Sequence, residues 1–168
     1  MANEEHLKLL RSGVAAWNLW RQEHPKSWID LIEADLSEAD LSKVNLSKAL
    51  LIQANLSKTI LIQAILHGAN LEGANLNQAD LRGSNLSKAN LFEVQLREAE
   101  LVRANLKEAE LLRADLKGAD LRGSDLRGAS IRAQQLSEAK VMAAKFTNSM
   151  FSQEEKEHLM RRGAMFSV

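Results

Sequence analysis

Leucine stands at every fifth position from Leu31 to Leu126, twenty stations without an exception. The register runs on through Ile131, Leu136, Val141, Phe146 and Phe151. Such a period excludes the two commonest elements. Five residues along an α-helix turn the side chain by about 140° net, which scatters the leucines round the whole circumference. In a straight strand an odd period sends successive leucines to opposite faces. All of them point inward only if the chain turns a corner once per repeat. Four corners close a square circuit of about twenty residues, and circuits stack at the strand spacing of about 4.8 Å. The stations from Leu31 to Phe146 then make about six coils and a rod about 29 Å long.

Two residues before most leucines stands Ala, as at Ala34, Ala39, Ala49, Ala54 and Ala64, and between them Asp or Asn is commonest. Strand alternation turns the Ala inward with the Leu, and its small size suits a narrow lumen. The intervening carboxylate or amide faces water, where it can bond to nearby turn amides. Six glycines (68, 73, 83, 118, 123 and 128) fall two places after a Leu, at the corner. Lys, Glu, Gln and Arg fill that station elsewhere, so the expectation is that a positive φ is not obligatory there. Gln134 occupies the small inward station, which predicts an irregularity between Ile131 and Val141. The single proline, Pro25, lies outside the repeats, as amides needed for coil-to-coil bonding require.

The pattern A(D/N)LXX over roughly residues 29–151 resembles the pentapeptide-repeat family. The resemblance implies an all-β solenoid: a right-handed quadrilateral parallel β-helix of about six coils, here with short α-helical caps at both ends. The expected organisation is an N-terminal helical cap at 1–28, the β-helix at 29–151 and a C-terminal helical cap at 152–168. Open rod ends expose core and backbone, so caps are needed. Residues 3–23 read as one amphipathic helix with Leu7, Leu10, Val14 and Trp17 on a stripe, stopped by Pro25. The segment 9–25 resembles the N-terminal cap of cyanobacterial members. At the other end Ser152 and Glu155 form a capping box that opens a helix ending at Gly163. Leu159, Met160 and Phe166 are available to cover the last coil.

No catalytic constellation is present. The four His residues are isolated, Cys is absent, and neither a nucleophile elbow nor a phosphate-binding loop occurs. The reading is therefore of a chain that is not an enzyme, with no cofactor and no metal. With no leader-like segment and no run long enough to span a bilayer, the expected place is the cytoplasm, with no membrane partner. Lys plus Arg and Asp plus Glu balance at 22 each, and aromatic interleaving in a basic stripe is lacking, so nucleic acid is not an expected partner.

Outer stations that depart from the polar pattern carry the functional reading. Leu50, Ile52, Ile60, Ile62 and Ile65 flank inward leucines where the rest of the chain mostly carries Asp, Asn, Ser or Lys. Phe92 and Leu112 continue the line of Ile32 and Ile52, since steps of twenty return to one side, with Glu72 interrupting. Cover by the N-terminal segment and contact with a protein partner both stay open for this apolar surface, and a strip of Ile52, Ile62, Phe92 and Leu112 is the first choice for the contact. The leading function is a non-enzymatic protein-binding or scaffold rod with an unidentified protein partner, as a monomer or weak homodimer. The alternative implied by the family is a DNA-mimicking protein that protects topoisomerases. That role depends on a strongly acidic rod, whereas residues 29–151 hold 16 acidic and 15 basic residues, a net charge of −1.

Overall fold

The computed structural model describes residues 2–147 and 150–167. Parallel bridges join the residue before a leucine to the one twenty positions on, from Asp30 with Leu50 to Asp125 with Lys145, with Asp115 the exception among the described residues. One circuit is therefore twenty residues, with four sides that begin at Leu31, Leu36, Leu41 and Leu46. Leu51, Leu71 and Leu91 stack in one fully buried column, and Leu61, Leu81 and Leu101 in another. Ala occupies the second inward station, and Thr59, Ser84 and Ser124 replace it without leaving the interior.

The amides of one repeat account for the sequence pattern. In residues 69–73, Ala69 N–H donates to Leu66 C=O (3.0 Å) and closes a tight turn. Asn70 N–H reaches back to Ala49 C=O (2.9 Å); Leu71 and Gly73 N–H reach forward to Asn90 (2.8 Å) and Phe92 (3.0 Å). One donor remains, Glu72 N–H, and Asn70 Oδ1 accepts it at 3.1 Å. Asp or Asn before the leucine thus supplies the one acceptor that the coil-to-coil ladder lacks. The same bond recurs from Ser37 N–H to Asp35 and from Arg127 N–H to Asp125. At Gln95, whose amide stands too far out, Arg97 N–H turns instead to Asn77 Oδ1 of the preceding circuit (2.9 Å).

Asn85 combines three such contacts. Its Oδ1 accepts from Ser87 N–H (3.1 Å), Ser87 Oγ–H (2.6 Å) and Asn105 Nδ2 (3.2 Å). Asn85→Ala is expected to cost about 1–2 kcal/mol, read as a lower urea midpoint, because the Ser87 amide loses its partner.

The expectation that the corner station needs no positive φ is corrected. All twenty residues from Glu33 to Gly128 at this station have φ between +55° and +72°, fourteen of them not glycine. The Leu-to-Ala hydrogen bond closes a four-residue turn whose third residue has positive φ, the signature of a type II turn. Lys, Glu, Gln and Arg accept it at a cost of about 1 kcal/mol each. Stacked stems offset part of this: a Cβ at Gly68 would lie 3.6 Å from Lys48 Cγ.

The single N-terminal helix expected over 3–23 is two helices, α1 (Glu4–Arg11) and α2 (Val14–Glu23). Gly13, at φ +122°, breaks the pattern between them. Asn3 caps α1, its Oδ1 accepting from Glu5 and His6 N–H. Both helices meet the rim of the first circuit with polar groups as well as apolar ones. Asp30 N–H donates to His6 Nδ1, and Asn3 N–H donates to Asp30 C=O. Trp17 Nε1 donates to Asn45 C=O (2.8 Å), and Asn45 N–H to Asn18 Oδ1 (2.8 Å). Arg21 Nη2 reaches Ser47 C=O (3.2 Å); burial pushes this guanidinium below its ordinary pKa.

At the other end, β1 (Lys145–Thr147) pairs in parallel with β2 (Met165–Ser167), again in steps of twenty. Between them α3 (Gln153–Arg161) leaves the rod, opened by the Ser152–Glu155 capping box. Leu159 is buried and Phe166 stacks on Phe146 with centroids 5.6 Å apart, but Met160 turns outward and covers nothing. The predicted irregularity falls at a 3₁₀ turn, Ala133–Leu136. Gln134 is pushed out to solvent, and it is Gln135 whose Nε2 bonds inward, to Leu111 C=O (2.7 Å) and Ala114 C=O (2.9 Å).

Candidate functional site

The twenty-residue circuit decides which outer residues are neighbours. Leu50, Ile52, Phe92 and Leu112 all lie on the first side, in line with Ile32. Ile60 and Ile62 lie on the third side, opposite, and Ile65 on the fourth. The seven residues therefore divide among three sides. A single strip that combines Ile62 with Ile52, Phe92 and Leu112 is not formed, because ten residues along the chain are half a circuit round the rod. Ile62 instead borders a groove of about 390 Å³ with Val102, Arg82 and Arg103. Ile60 and Ile65 are the more exposed, at 38 % and 40 %; the other five are half-buried.

At Leu50, Ile60 and Ile65 an apolar residue replaces the Asp or Asn acceptor. Among the described residues the amides of Ile52, Ile62 and His67 consequently have no hydrogen-bond partner. His67 faces outward as its position predicts, with Nδ1 2.8 Å from Ser87 Oγ.

The N-terminal segment places its hydrogen bonds at Asp30, Lys43, Asn45 and Ser47, on the rim. Phe92 and Leu112 lie three and four circuits beyond Ile32, away from that rim. There they floor a groove of about 390 Å³ on the first side, bordered by Arg113, Arg132, Gln134 and Gln135. The Arg113 guanidinium sits 5.8 Å from the centre of the Phe92 ring and pairs with Glu93 at 2.9 Å. Sequence reasoning did not single out Arg113 or Gln135, since each occupies an ordinary polar station. The signal that could have found them is the break in pattern at Gln134, directly beside this groove. Trp28 and Leu19, at 74 % and 57 % exposed, are two further surface apolar residues of the N-terminal segment.

Charge on the later circuits is internally compensated. Asp80, Asp120 and Asp125 each bond the Arg two residues on. The Arg127 hydrogen bond holds the Asp125 carboxyl down at about 2 against the opposing effect of burial. Arg82 and Arg122 likewise hold Asp80 and Asp120 below the ordinary carboxylate range. Among the described residues no cluster of His, Cys, Asp or Glu has metal-binding geometry. No helix there is long and apolar enough to cross a membrane.

The comparisons agree with this architecture. A family model described as pentapeptide repeats matches eight copies over residues 29–68, 64–91 and 89–128. The chain is similar to the pentapeptide repeat protein Rfr23 of the cyanobacterium Cyanothece 51142, with 26 % identity and a TM-score of 0.58 over 77 % of this chain and 92 % of that one. It is 32 % identical to HetL of Nostoc sp. strain PCC 7120, a protein involved in heterocyst differentiation regulation; the match covers 68 % of this chain and 67 % of that one, with a TM-score of 0.42. QnrB1, a plasmid-mediated fluoroquinolone resistance protein, matches at 21 % identity and a TM-score of 0.43 over 79 % of this chain and 77 % of that one. No curated protein matches the sequence. Repeat, register and the likeness to Rfr23 together imply a right-handed β-helix, and the chain belongs to the pentapeptide repeat family.

Proposed function

We propose that the protein is a non-enzymatic binding rod of six coils, closed at each end by its helical segments, that presents its first side to a protein partner. The observation that carries this reading is the groove over Phe92 and Leu112, half-buried apolar residues on an outer surface otherwise given to Asp, Asn, Ser and charged side chains. Exposed apolar ground on a small soluble domain is more often a contact than an accident. Ile52 and Leu50 extend the contact toward the N-terminal end.

Duplex-DNA mimicry needs a continuous field of uncompensated negative charge. Here Asp80, Asp115, Asp120 and Asp125 are each paired with Arg or Lys, which favours protein binding over that alternative.

The test is affinity capture from the native organism followed by mass spectrometry, with the wild-type chain beside a Phe92→Ser/Leu112→Lys double variant. The expected result is a defined partner retained by the wild type and reduced at least tenfold by the variant, while an Ile62→Ser chain captures as wild type does. Undiminished capture by the double variant would remove the first side from the reading.

A further inference from the structure

The Phe92–Leu112 groove adjoins a break in the hydrogen-bond ladder, and the two together specify what can dock there. In a regular circuit the N–H at the corner station and the N–H of the leucine donate to the next circuit, as Glu93 does to Leu112 and Leu96 to Asp115. The 3₁₀ turn at Ala133–Leu136 withdraws those acceptors. Among the described residues, the N–H groups of Arg113, Leu116 and Gly118 consequently have no partner. Gln135 Nε2 replaces one missing backbone donor by bonding Ala114 C=O, but nothing replaces the missing acceptors.

A second opening of about 360 Å³ lies round the corner, and Leu116, Lys117 and Ser137 are among the residues that border it. Leu116 as a whole residue is 1 % exposed, so its amide lies beneath the rim of this opening, whereas Arg113 and Gly118 are exposed. The two openings share Arg113, Gln134 and Gln135. Above the apolar floor stands Arg132, exposed and without an ion pair among the described residues. Most other cations of the later circuits are already taken: Arg97 by Asp115, Arg122 by Asp120, Arg127 by Asp125, Lys117 by Glu138.

An occupant must therefore bring three things: an apolar side chain for Phe92 and Leu112, backbone or side-chain acceptors for the open donors, and negative charge for Arg132. We infer that this corner of the rod binds an extended acidic peptide segment of a partner protein, with an apolar side chain set among Asp or Glu. The inference rests on the binding-rod reading and names the chemistry of its partner. The apolar residue seats over Phe92, a carboxylate meets Arg132, and a peptide carbonyl or a second carboxylate accepts from the Arg113 amide.

The full chain, labelled with ¹⁵N, is titrated with two fluorescein-labelled nonapeptides. One has a central Leu-Phe pair flanked by Asp and Glu; the other replaces every carboxylate with the amide. The expected result is at least tenfold tighter binding of the acidic peptide by anisotropy, weakening with salt. Arg132→Glu lowers that affinity at least tenfold and Arg132→Gln by less, whereas Lys48→Glu on the far rim leaves it unchanged. The Arg113 amide resonance shifts on binding. Equal affinity for the two peptides, no binding of either, or indifference to Arg132→Glu overturns the inference. A partner captured through Phe92 and Leu112 yet held equally by Arg132→Glu would leave the binding rod standing and remove only the acidic class.

Discussion

Leu81→Lys is expected to leave no cooperatively folded rod at room temperature. Leu81 is fully buried, stacked between Leu61 and Leu101, and the lumen around it is lined by small residues such as Ala79 and Ser84. The ammonium has no route to solvent, because each wall of the lumen is a hydrogen-bonded ladder whose outer face is a further residue away. Burying an unpaired charge is among the few changes that exceed 4–5 kcal/mol, about the whole stability of a small domain. Position aggravates the effect. In a stacked array each circuit is stabilised only by its neighbours, so a failed central circuit separates two short remnants that cannot bury their own ends. Circular dichroism and urea titration read the outcome; a cooperative transition within about 1 kcal/mol of wild type would sink the account of the core. Leu81→Met, which keeps volume and apolarity, is the companion variant and should cost less than about 1.5 kcal/mol.

Gly128→Val is expected to destabilise by about 2–3 kcal/mol through the backbone rather than the core. Gly128 has φ +72°, a region that a β-branched side chain enters only under strain. Its new Cβ would also lie 3.3 Å from Glu108 Cγ in the circuit before. Gly68→Lys makes the informative contrast. The position has φ +64° and its Cβ would lie 3.6 Å from Lys48 Cγ, ordinary contact with a stem of the same kind. Lysine already occupies the equivalent station at Lys48 and Lys88. The expected cost there is at most about 1 kcal/mol, since the αL penalty is partly offset by the reduced freedom of the unfolded chain. Equal urea midpoints for the two variants would show that the corner tolerates any side chain, contrary to the turn geometry.

The difference between those two glycines marks where sequence reasoning stopped. The leucine period specifies the circuit, because no other backbone path turns every fifth residue inward. It does not specify the corner dihedral, for Lys, Glu, Gln and Arg are legal though uncomfortable at positive φ, and their frequency there hides the constraint. The Asp/Asn station was legible as a bonding position, but its necessity emerges only when the five amides of residues 69–73 are traced to their acceptors. Gln134 announced an irregularity by its size; which of two adjacent glutamines would turn inward depended on reaching Ala114 C=O, a distance no one-dimensional pattern carries. The apolar surface was legible as residue types and misleading as a patch. Ile52 and Ile62 are close along the chain, and half a circuit puts them on opposite sides. The N-terminal stripe likewise concealed the break at Gly13, since both short helices continue the same apolar spacing.

The twenty-residue circuit also turns sequence position into an angular address. Losing or gaining one five-residue unit leaves every interior contact type intact, yet it rotates everything beyond it by a quarter-turn. Phe92 and Leu112 would then leave the line of Ile52 and face a different direction, though neither residue had changed. Only insertions and deletions of a full circuit conserve the relation between the two ends. The 3₁₀ turn at Ala133–Leu136 obeys this rule: Asp120 still bridges Lys140 and Asp125 still bridges Lys145, so the distortion opens a corner without shifting the phase of the last circuit. Length changes in such a rod thus act as mutations of orientation, and a surface spread over several circuits is only as durable as the count between them.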